Sequence, residues 1–427
     1  MRIGLIGAGR IGAFHAGTLR AHAGVGELLV ADADAARARQ VAARCGGRAL
    51  PVDALFAARP DALVIASATA AHAGLIARAA RAGIPAFCEK PIAVDLPGTV
   101  AALAEVEAAG AVLQIGFQRR FDAGYAAARA AVAAGRLGRL HTVRTVSSDA
   151  VPPPAAYVPL SGGLYRDCLI HDFDILRWVT GREVTEVYAA GANAGADFFL
   201  AAGDVDTAAV LLTLEGGLLA TATATRYHAA GYDVRMELAG SEDQFAVGVT
   251  ERTPWTAVEQ GAARGLPGPA AGPAGGAGPA SPAVGAEAAG DAGAGRGAGG
   301  AEGPAGADVG RPGGGAGSGT GAGAGRAWSG FLERFGSAYR AEMDVFLRVA
   351  RGAAANPCEG RDALRALLVA EACEVSRRER RPVRVAEIAE AAHGAGVAQA
   401  RARAAGAPGH GGHGGRGGPH GHEGAVA

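Results

Sequence analysis

The only lysine in the chain lies in the tetrapeptide Cys88-Glu89-Lys90-Pro91, directly after a short apolar run. The other strongly basic side chains are all arginines. Arginine keeps its proton near neutral pH, whereas lysine is a compact point charge that can transfer one. We therefore predict that Lys90 hydrogen-bonds a reacting oxygen and stabilises the negative charge that develops there. The alternatives are a contact from Lys90 to a cofactor phosphate and a lysine retained by chance.

A carboxylate and an imidazole stand four residues apart, at Asp167 and His171. Oxidation of an alcohol needs a base for the hydroxyl proton, and the ordinary pKa of histidine lies near working pH. Residues i and i+4 share one face of a helix, so we predict that Asp167 orients the His171 ring and stabilises its protonated form. The alternative is a structural histidine with Asp167 as the helix N-cap. Asp172 and Asp174 are predicted to cap the helix or to pair with Arg177.

A glycine-rich hexapeptide, Gly7-Ala8-Gly9-Arg10-Ile11-Gly12, follows the first apolar run and has the G-x-G-x-x-G pattern of dinucleotide-binding turns. In such turns the first glycine makes the tight turn, the second lets the backbone approach a pyrophosphate, and the third lets helix and strand pack closely. The helix that follows offers unpaired N–H groups to the phosphates. The pattern is weak evidence in a chain with 69 glycines, but its place between a strand and a helix predicts a dinucleotide site.

Asp32 ends the second apolar run, twenty residues beyond Gly12. A carboxylate there accepts hydrogen bonds from the ribose hydroxyls and repels a 2′-phosphate, which favours NAD over NADP. The alternative is that Asp32 caps the helix that begins near Asp34. Arg37 and Arg39 are close enough to leave some use of NADP open.

Short apolar runs alternate with helical stretches from residue 1 to about residue 118. This alternation predicts a parallel sheet with helices on both faces, and hence an N-terminal α/β Rossmann domain with a doubly wound sheet over residues 1–120. The predicted buried strands are Arg2–Ile6, Glu27–Ala31, Ala62–Ala66, Pro85–Cys88 and Val112–Gly116.

After residue 121 strand-like runs follow one another, and Glu215-Gly216-Gly217 predicts a hairpin between two of them. The pattern predicts an α+β domain with a large, mostly antiparallel sheet over residues 121–256 and 327–392. The predicted strands are Leu140–Ser147, Val184–Ala190, Thr207–Leu214, Leu218–Tyr227 and Asp233–Ala239, and the predicted helices are Ala123–Ala134, Asp167–Val179, Glu333–Ala350 and Arg361–Arg378.

Two segments consist largely of small residues, and we expect both to be disordered because they have few large apolar side chains to bury. They are a Gly/Ala/Pro insertion over residues 257–326 and a Gly/His tail over residues 393–427. The tail histidines have no fixed geometry to bind a metal, so we expect a solvated tail and predict no metal site. They are His410, His413, His420 and His422.

The overall composition argues against several classes of protein. The formal net charge is +0, so no large field favours nucleic acid or an anionic membrane. The five cysteines include no CxxC pair, which is typical of a reduced cytoplasmic protein. We also expect no signal peptide and no membrane span.

The segments that could do chemistry resemble one family of oxidoreductases. The glycine-rich turn, the tripeptide Glu89-Lys90-Pro91 and the D-x-x-x-H-D-x-D pattern that begins at Asp167 are similar to the glucose–fructose oxidoreductase/inositol dehydrogenase/rhizopine catabolism (Gfo/Idh/MocA) family. The resemblance covers residues 1–255 and resumes from 328 to about 385. Residues 116–122, 203–207 and 231–235 look more narrowly like the inositol 2-dehydrogenases, although Gln118 stands where Asn is commoner and Ala68 where Pro is usual.

The resemblance implies an NAD-dependent dehydrogenase that oxidises a secondary ring hydroxyl of a cyclic polyol or sugar, with myo-inositol as the leading substrate. It implies a homo-oligomer, a tetramer or dimer, and a cis peptide before Pro91. The alternatives are a sugar dehydrogenase of the same family, a hydrolase or lyase that uses tightly bound NAD transiently, and a non-catalytic dinucleotide-binding regulator.

The residues that this resemblance and the patterns above assign to the site fall into three groups. The catalytic set is Lys90, Asp167 and His171. The cofactor-binding set is Gly7, Gly9, Arg10, Ile11, Gly12, Asp32, Ser67, Thr69, His72, Glu89 and Lys90. The substrate set is Arg120, Tyr157, Asp167, His171 and Tyr232, and Arg119 is a further candidate. Ion pairs and core aromatics remain the alternatives for Arg119, Arg120, Tyr157 and Tyr232.

Overall fold

The computed structural model describes residues 1–255 and 326–392. Within that range, residues 1–254 and 326–392 belong to one compact unit. The predicted insertion over residues 257–326, except its last residue, and the predicted tail over 393–427 with its four histidines lie outside the described residues. None of the helices in the described part of the chain is long and apolar enough to cross a membrane.

The N-terminal part alternates strands and helices, as the sequence predicts. Its elements are β1 Arg2–Ile6, α1 Arg10–Ala21, β2 Glu27–Ala31, α2 Ala35–Cys45, β3 Arg48–Ala49, α3 Val52–Ala57, β4 Ala62–Ile65, α4 Thr69–Arg81, β5 Ala86–Glu89, α5 Leu96–Ala108 and β6 Leu113–Gly116. Among the described residues these strands form one parallel sheet in the order β3-β2-β1-β4-β5-β6. The predicted doubly wound Rossmann sheet is therefore confirmed.

The order of the strands fixes where a ligand can bind. Connections from β1 lead to β2 and β3 on one side of the sheet, and β4 lies on the other side of β1. In open parallel sheets the crevice at this switch point, beyond the carboxyl ends of the strands, is the ligand site. β1, β4 and β5 are buried almost throughout because their runs of apolar side chains are covered on both faces. The fold thus directs the loops after β1, β4 and β5 into one crevice.

The second part of the chain forms a mixed sheet covered on one face by helices. Its elements are α6 Ala123–Ala133, β7 Leu140–Ser148, α7 Val158–Ser161, α8 Ile170–Thr180, β8 Val184–Ala192, α9 Phe198–Ala201, β9 Thr207–Leu214, β10 Leu219–Thr225, β11 Asp233–Gly240, β12 Gln244–Val247, α10 Phe331–Ala350, α11 Gly360–Glu379 and β13 Val383–Arg384. The described strands run in the order β12-β11-β7-β10-β9-β8-β13. All neighbours are antiparallel except β7 and β10. The predicted α+β domain is confirmed, with this one parallel pair as a difference.

The predicted helix from Asp167 begins in a different way. Residues Tyr165–Leu169 form a π-helical turn, and α8 follows from Ile170 to its left-handed glycine cap, Gly181. Asp167 therefore lies in a wider turn than His171, and the regular i, i+4 geometry does not apply to the pair. The π-helical turn therefore changes the orientation of the Asp167 side chain relative to that of His171.

Helix α10 joins the N-terminal domain although it comes late in the sequence. Met343, Phe346 and Leu347 belong to the same buried cluster as Ile3 and Leu5 of β1. Within the predicted range 327–392, α10 therefore packs against the Rossmann sheet, whereas β13 pairs with β8 of the second sheet. The helix thereby ties the two domains together beside the crevice.

Candidate active site

The glycine-rich turn after β1 has the conformation and the space that a dinucleotide needs. Gly7 has a φ of 104°, and a Cβ there would lie 2.4 Å from the Ala66 backbone. A Cβ on Gly12 would lie 2.0 Å from the Gly7 carbonyl oxygen. Around Gly9, no heavy atom from elsewhere in the described part of the chain comes within 4 Å of the position of a Cβ, apart from the glycine's own neighbours in the sequence. Two glycines are thus required by the protein's own packing, and the third leaves the approach open for a phosphate.

Arg10 and Ile11 begin α1, directly beyond the turn. The Arg10 side chain is exposed, with its guanidinium carbon 4.7 Å from the centre of the Phe331 ring, and Ile11 is half-buried. No side chain of the described residues caps α1, so the N–H groups of its first turn have no side-chain acceptor there. The N-terminus of α1 can therefore hold an anion.

Asp32 lies at the end of β2, beside the glycine-rich turn. Its carboxylate accepts hydrogen bonds from the Ala8 N–H at 2.6 Å and the Asp34 N–H at 2.8 Å. Asp34 itself caps α2 by accepting from the N–H groups of Ala36 and Arg37. The alternative in which Asp32 is the helix cap is therefore wrong. A role for Asp32 in holding ribose hydroxyls stays a prediction.

The loop after β4 contains three of the predicted cofactor contacts. Ser67 and Thr69 are on this loop and at the start of α4. His72 is 1% exposed, and its two ring nitrogens lie 2.7 Å from the Pro91 carbonyl oxygen and 3.0 Å from that of Ser67. Burial lowers the pKa of His72. His72 links the loops after β4 and β5 through these contacts, and its contact with the cofactor stays a prediction.

Glu89 ends β5, and its side chain pairs with a residue of α1. It is 9% exposed, and its Oε1 lies 2.7 Å from His15 Nε2 on α1. Gly116 on β6 makes room for it, since a Cβ there would lie 2.9 Å from Glu89 Oε2. Glu89 thus joins β5 to α1, and its contact with the cofactor stays a prediction. His15 was missed because one histidine within a helix carries no signal in the sequence.

Lys90 and Asp167 meet in the crevice. The Lys90 ammonium donates to the main-chain oxygen of Asp167 at 2.7 Å and to its Oδ1 at 3.1 Å. The peptide bond between Lys90 and Pro91 is cis. The two side chains are 16% and 12% exposed, so the pair is largely shielded from water without being closed off. The structure therefore brings together two of the three predicted catalytic residues.

The Asp167 carboxylate has further partners that sequence reasoning missed. Arg226, at the end of β10, donates from Nη2 to Asp167 Oδ2 at 2.7 Å and from Nη1 to Asp149 Oδ2 at 3.0 Å. The Tyr157 hydroxyl donates to Asp167 Oδ1 at 3.0 Å. Although burial opposes it, the Lys90 and Arg226 charges hold the pKa of Asp167 well below its usual range. No local pattern marks Arg226, because the β-strand that carries it only approaches Asp167 in the folded chain.

His171 lies in the first turn of α8, half-buried against Phe117, with the two ring centres 5.8 Å apart. Its Nδ1 has no hydrogen-bond partner among the described residues. Burial, followed by the positive charges of Lys90 and Arg119, places the pKa of His171 well below its ordinary value. The prediction that Asp167 orients this ring by a hydrogen bond is not matched, because the π-helical turn and two cations direct the carboxylate elsewhere.

Arg119 and Arg120 are not positioned to contact a substrate. Arg119 donates to Asp172 at 2.9 Å, and its side chain is 4% exposed. Arg120 binds Asp174 through Nε at 2.9 Å and Nη2 at 2.5 Å, and its Nη1 reaches Asp362 at 3.1 Å. The predicted substrate role of Arg120 is therefore corrected to a buried ion pair, one of the alternatives the sequence leaves open. Asp172 and Asp174 are partners of these arginines and not of Arg177.

The two predicted substrate tyrosines occupy different environments. Tyr157 is 44% exposed at the mouth of the crevice, and burial and the Asp167 charge raise the pKa of its hydroxyl. Tyr232 is 8% exposed, and its main-chain N–H donates to the Trp328 carbonyl oxygen at 2.9 Å. Tyr157 thus remains a candidate contact, whereas Tyr232 contributes mainly to packing.

The site contains no arrangement suited to a metal in the part of the chain that the structure describes. There, no group of three or more His, Cys, Asp or Glu side chains could hold an ion.

Comparisons with known proteins agree with this geometry. The family described as "Oxidoreductase family, NAD-binding Rossmann fold" matches residues 1–117, and the "GFO/IDH/MocA C-terminal domain" matches residues 125–246. A myo-inositol dehydrogenase from Streptomyces leeuwenhoekii is 35% identical over 383 residues, which are 88% of this chain and 98% of that protein. An inositol 2-dehydrogenase from Rhizobium meliloti (strain 1021) is 41% identical over 247 residues, which are 58% of this chain and 75% of that protein.

The fold is also that of a solved relative. The structure of a myo-inositol dehydrogenase from Corynebacterium glutamicum ATCC 13032 superposes with a TM-score of 0.69 at 29% identity, over 90% of this chain and 98% of that chain. The glycine-rich turn fits the NAD-binding domain that the first family description names. With the fold, the crevice and the relatives in agreement, this chain belongs to the Gfo/Idh/MocA family of NAD-dependent oxidoreductases.

Proposed function

We propose that the protein oxidises a secondary ring hydroxyl of a cyclic polyol, and that its substrate is myo-inositol, converted to 2-keto-myo-inositol. The proposal is supported by relatives that are named inositol dehydrogenases. The observation that carries it is the contact between Lys90 and Asp167, with His171 one helical turn beyond, at the edge where β5 ends. This set can remove a hydroxyl proton and support the charge left on oxygen.

NAD supplies the acceptor for the hydride that leaves the carbinol carbon. Gly9 and the first N–H groups of α1 would hold its pyrophosphate, and Asp32 its adenosine ribose. Asp32 disfavours a 2′-phosphate by charge repulsion, which is why we propose NAD as the preferred cofactor.

His171 is the base in this proposal. Its lowered pKa keeps the imidazole neutral, and therefore able to accept the hydroxyl proton, across the neutral range. An ammonium has three N–H donors, and Asp167 accepts from Lys90 at two oxygens. A remaining donor of Lys90 is available to the substrate oxygen, where it stabilises the developing alkoxide.

A screen of the purified full-length protein tests the proposal. Cyclitols and aldoses are offered with NAD or NADP, and the absorbance of the reduced cofactor is followed. We expect reduction with inositols and NAD. A signal with aldoses alone would make the protein a sugar dehydrogenase. Cofactor that survives gel filtration without net reduction would indicate a hydrolase or lyase, and bound cofactor without any turnover would indicate a regulator.

We also propose that the chain forms a homo-oligomer, a tetramer or dimer, through the uncovered face of the second sheet. Tyr188 on β8 and Leu211 on β9 are directly opposite each other across the strands and are 45% and 48% exposed. Leu219 on β10 is 47% exposed beside them. Exposed apolar side chains on neighbouring strands favour association. Light scattering on wild type and on Leu211→Asp tests this, since a monomeric wild type would contradict it.

A cytoplasmic location completes the proposal. All five cysteines, which lie within the described residues, are free thiols, as expected of a protein kept in a reducing compartment. Fractionation of the source cells, with detection of the protein in the soluble cytoplasmic fraction, checks it.

A further inference from the structure

A buried arginine that the mechanism above does not use lies directly behind the catalytic pair. Arg226 follows the last residue of β10, and its side chain is 5% exposed. Its Nη2 donates to Asp167 Oδ2 at 2.7 Å and its Nη1 to Asp149 Oδ2 at 3.0 Å. The Asp149 N–H donates to the Thr225 carbonyl oxygen at 2.9 Å, so the ends of β7 and β10 hold Asp149 beside the guanidinium. The sheet thus presents this guanidinium to the site in a fixed orientation.

The two oxygens of the Asp167 carboxylate are divided between two cations. Arg226 binds Oδ2, and Lys90 binds Oδ1 at 3.1 Å. The planar guanidinium fixes direction as well as charge, because its two outer nitrogens are bonded to separate carboxylates. Lys90 is a flexible side chain that is held by the Asp167 main-chain oxygen at 2.7 Å and by this carboxylate. The direction of the Lys90 ammonium therefore depends in part on a carboxylate whose orientation Arg226 sets.

Charge balance leads to the same conclusion. Asp149 and Asp167 carry two negative charges, and Lys90 and Arg226 carry two positive ones; Asp149 is 30% exposed, and the other three side chains are largely buried. Without Arg226 the cluster would hold an unpaired carboxylate. The Asp167 carboxylate could then rotate and bind the Lys90 ammonium in a different orientation. Removal of one partner of a buried pair leaves the other charge uncompensated.

We propose that Arg226 is a positioning residue for the oxidation, which fixes Asp167 so that the Lys90 ammonium points at the reacting oxygen. This inference rests on the proposed function. Arg226 differs in this respect from Arg177, whose side chain is 4% exposed and binds Glu183 at 2.5 and 2.8 Å without touching Lys90 or Asp167. Arg177 is therefore the matched control, a buried arginine whose ion pair has no link to the catalytic set.

The first test compares Arg226→Ala and Arg226→Lys with wild type in full-length protein. In Arg226→Ala we expect kcat to fall about 100-fold, since a displacement of about 1 Å in a catalytic group costs that much. The KM for NAD should change by less than about threefold, because the dinucleotide turn is untouched. Arg226→Lys retains the charge and one contact, and should lose only about tenfold. Added guanidinium should partly restore kcat in Arg226→Ala.

Arg177→Ala separates positioning from general destabilisation. Guanidinium should not restore whatever activity this variant loses. If Arg226→Ala and Arg177→Ala lose activity in proportion to their loss of thermal stability, and guanidinium restores neither, Arg226 is only structural and the inference is wrong. A wild-type kcat in Arg226→Ala would also overturn it.

A second measurement needs no substrate. Because Lys90 is the only lysine in the chain, its reductive methylation at one fixed pH can be followed by peptide mass. Arg226 sets the carboxylate that Lys90 binds, so the rate of Lys90 methylation should differ from wild type in Arg226→Ala, and Arg177→Ala should leave that rate unchanged. If no polyol is oxidised by wild type but the rate changes only in Arg226→Ala, the proposed function fails and the positioning of Lys90 stands. The wild-type methylation rate in Arg226→Ala would contradict the positioning itself.

Discussion

The Lys90 ammonium binds Asp167 twice, at the main-chain oxygen and at the carboxylate, although 77 residues separate them in the sequence. Lys90 comes from the Rossmann sheet and Asp167 from the π-helical turn before α8. The contact therefore joins the cofactor domain to the substrate domain at the point where chemistry would occur. Every substitution that separates the two residues should affect turnover more than cofactor binding.

Replacement of Lys90 tests whether its charge alone is sufficient. In Lys90→Ala we expect kcat to fall about 10²- to 10⁴-fold, the range for loss of one acid–base or oxyanion-stabilising group. Lys90→Arg should not recover it, because the guanidinium is larger and keeps its proton. NAD affinity, measured by titration, should stay near that of wild type. Wild-type turnover in either variant would remove Lys90 from the mechanism.

The pH profile should show the unusual environment of His171. A lowered pKa means that the neutral, proton-accepting form persists as the pH falls below the ordinary value of 6.5. We therefore expect the acid limb of kcat/KM to lie below pH 6.5, and His171→Gln to lose at least about 100-fold in kcat/KM. The exposed His141 provides the control, since His141→Gln should leave the profile unchanged. An acid limb of kcat/KM well above pH 6.5 would contradict the assignment of His171 as the base.

Glu342 on α10 should make stability depend on pH. It is fully buried, neither carboxylate oxygen has a partner among the described residues, and burial followed by the Glu89 charge raises its pKa well above 4.5. Because the pKa of Glu342 is higher in the folded than in the unfolded chain, its protonation adds to the free energy of unfolding. This stabilisation is complete below pH 4.5 and is lost as the pH rises through the folded pKa. Glu342→Gln should therefore stabilise the protein by about 1–3 kcal/mol at neutral pH and by little near pH 4.

Thermal unfolding of Glu342→Gln at several pH values measures this difference. Glu107→Gln is the matched control, because Glu107 is 77% exposed and its pair with Arg361 is a surface contact. It should change stability by less than about 1 kcal/mol at any pH. A stabilisation by Glu342→Gln that is equal at pH 4 and pH 8 would show that Glu342 is not neutral in the folded protein.

Gly9 offers a substitution that separates folding from cofactor binding. Gly9 has a φ of −69°, and apart from its neighbours in the sequence no described atom lies within 4 Å of a Cβ there. Gly9→Ala should therefore fold normally but lose NAD affinity at least about tenfold, because the methyl group occupies the approach of the pyrophosphate. Gly17→Ala on the same helix also has open space, and should leave NAD binding intact. Equal NAD affinity in the two variants would argue against this turn as the phosphate site.

Local patterns predicted the elements because they depend on neighbouring residues. The run at residues 2–6 and the runs at 207–214 and 233–239 matched observed strands closely, since apolar periodicity reports burial directly. The two-residue strands β3 and β13 were not predicted, because each exists only through pairing with a distant strand. β12 was also missed, although it pairs with the strand just before it, β11.

The sequence predicted which residues could do chemistry at the site, but it did not predict their hydrogen-bond and ion-pair partners. Lys90, Asp167 and His171 could be selected from unusual residue use and spacing. The partner of Glu89 is His15, and the partner of Arg120 is Asp174, which are 74 and 54 residues away. Such pairings depend on which strand lies next to which, and no local pattern encodes them.

The sequence by itself determined the dinucleotide turn, the order of strands and helices and the side chains able to do chemistry, because each follows from residue type and short-range periodicity. Only the tertiary structure decided that Asp167 faces Lys90 and Arg226 instead of His171. Hydrogen bonds from two cations on separate strands outweigh the helical spacing of four residues, and the π-helical turn before α8 removes the regular geometry on which that spacing depends.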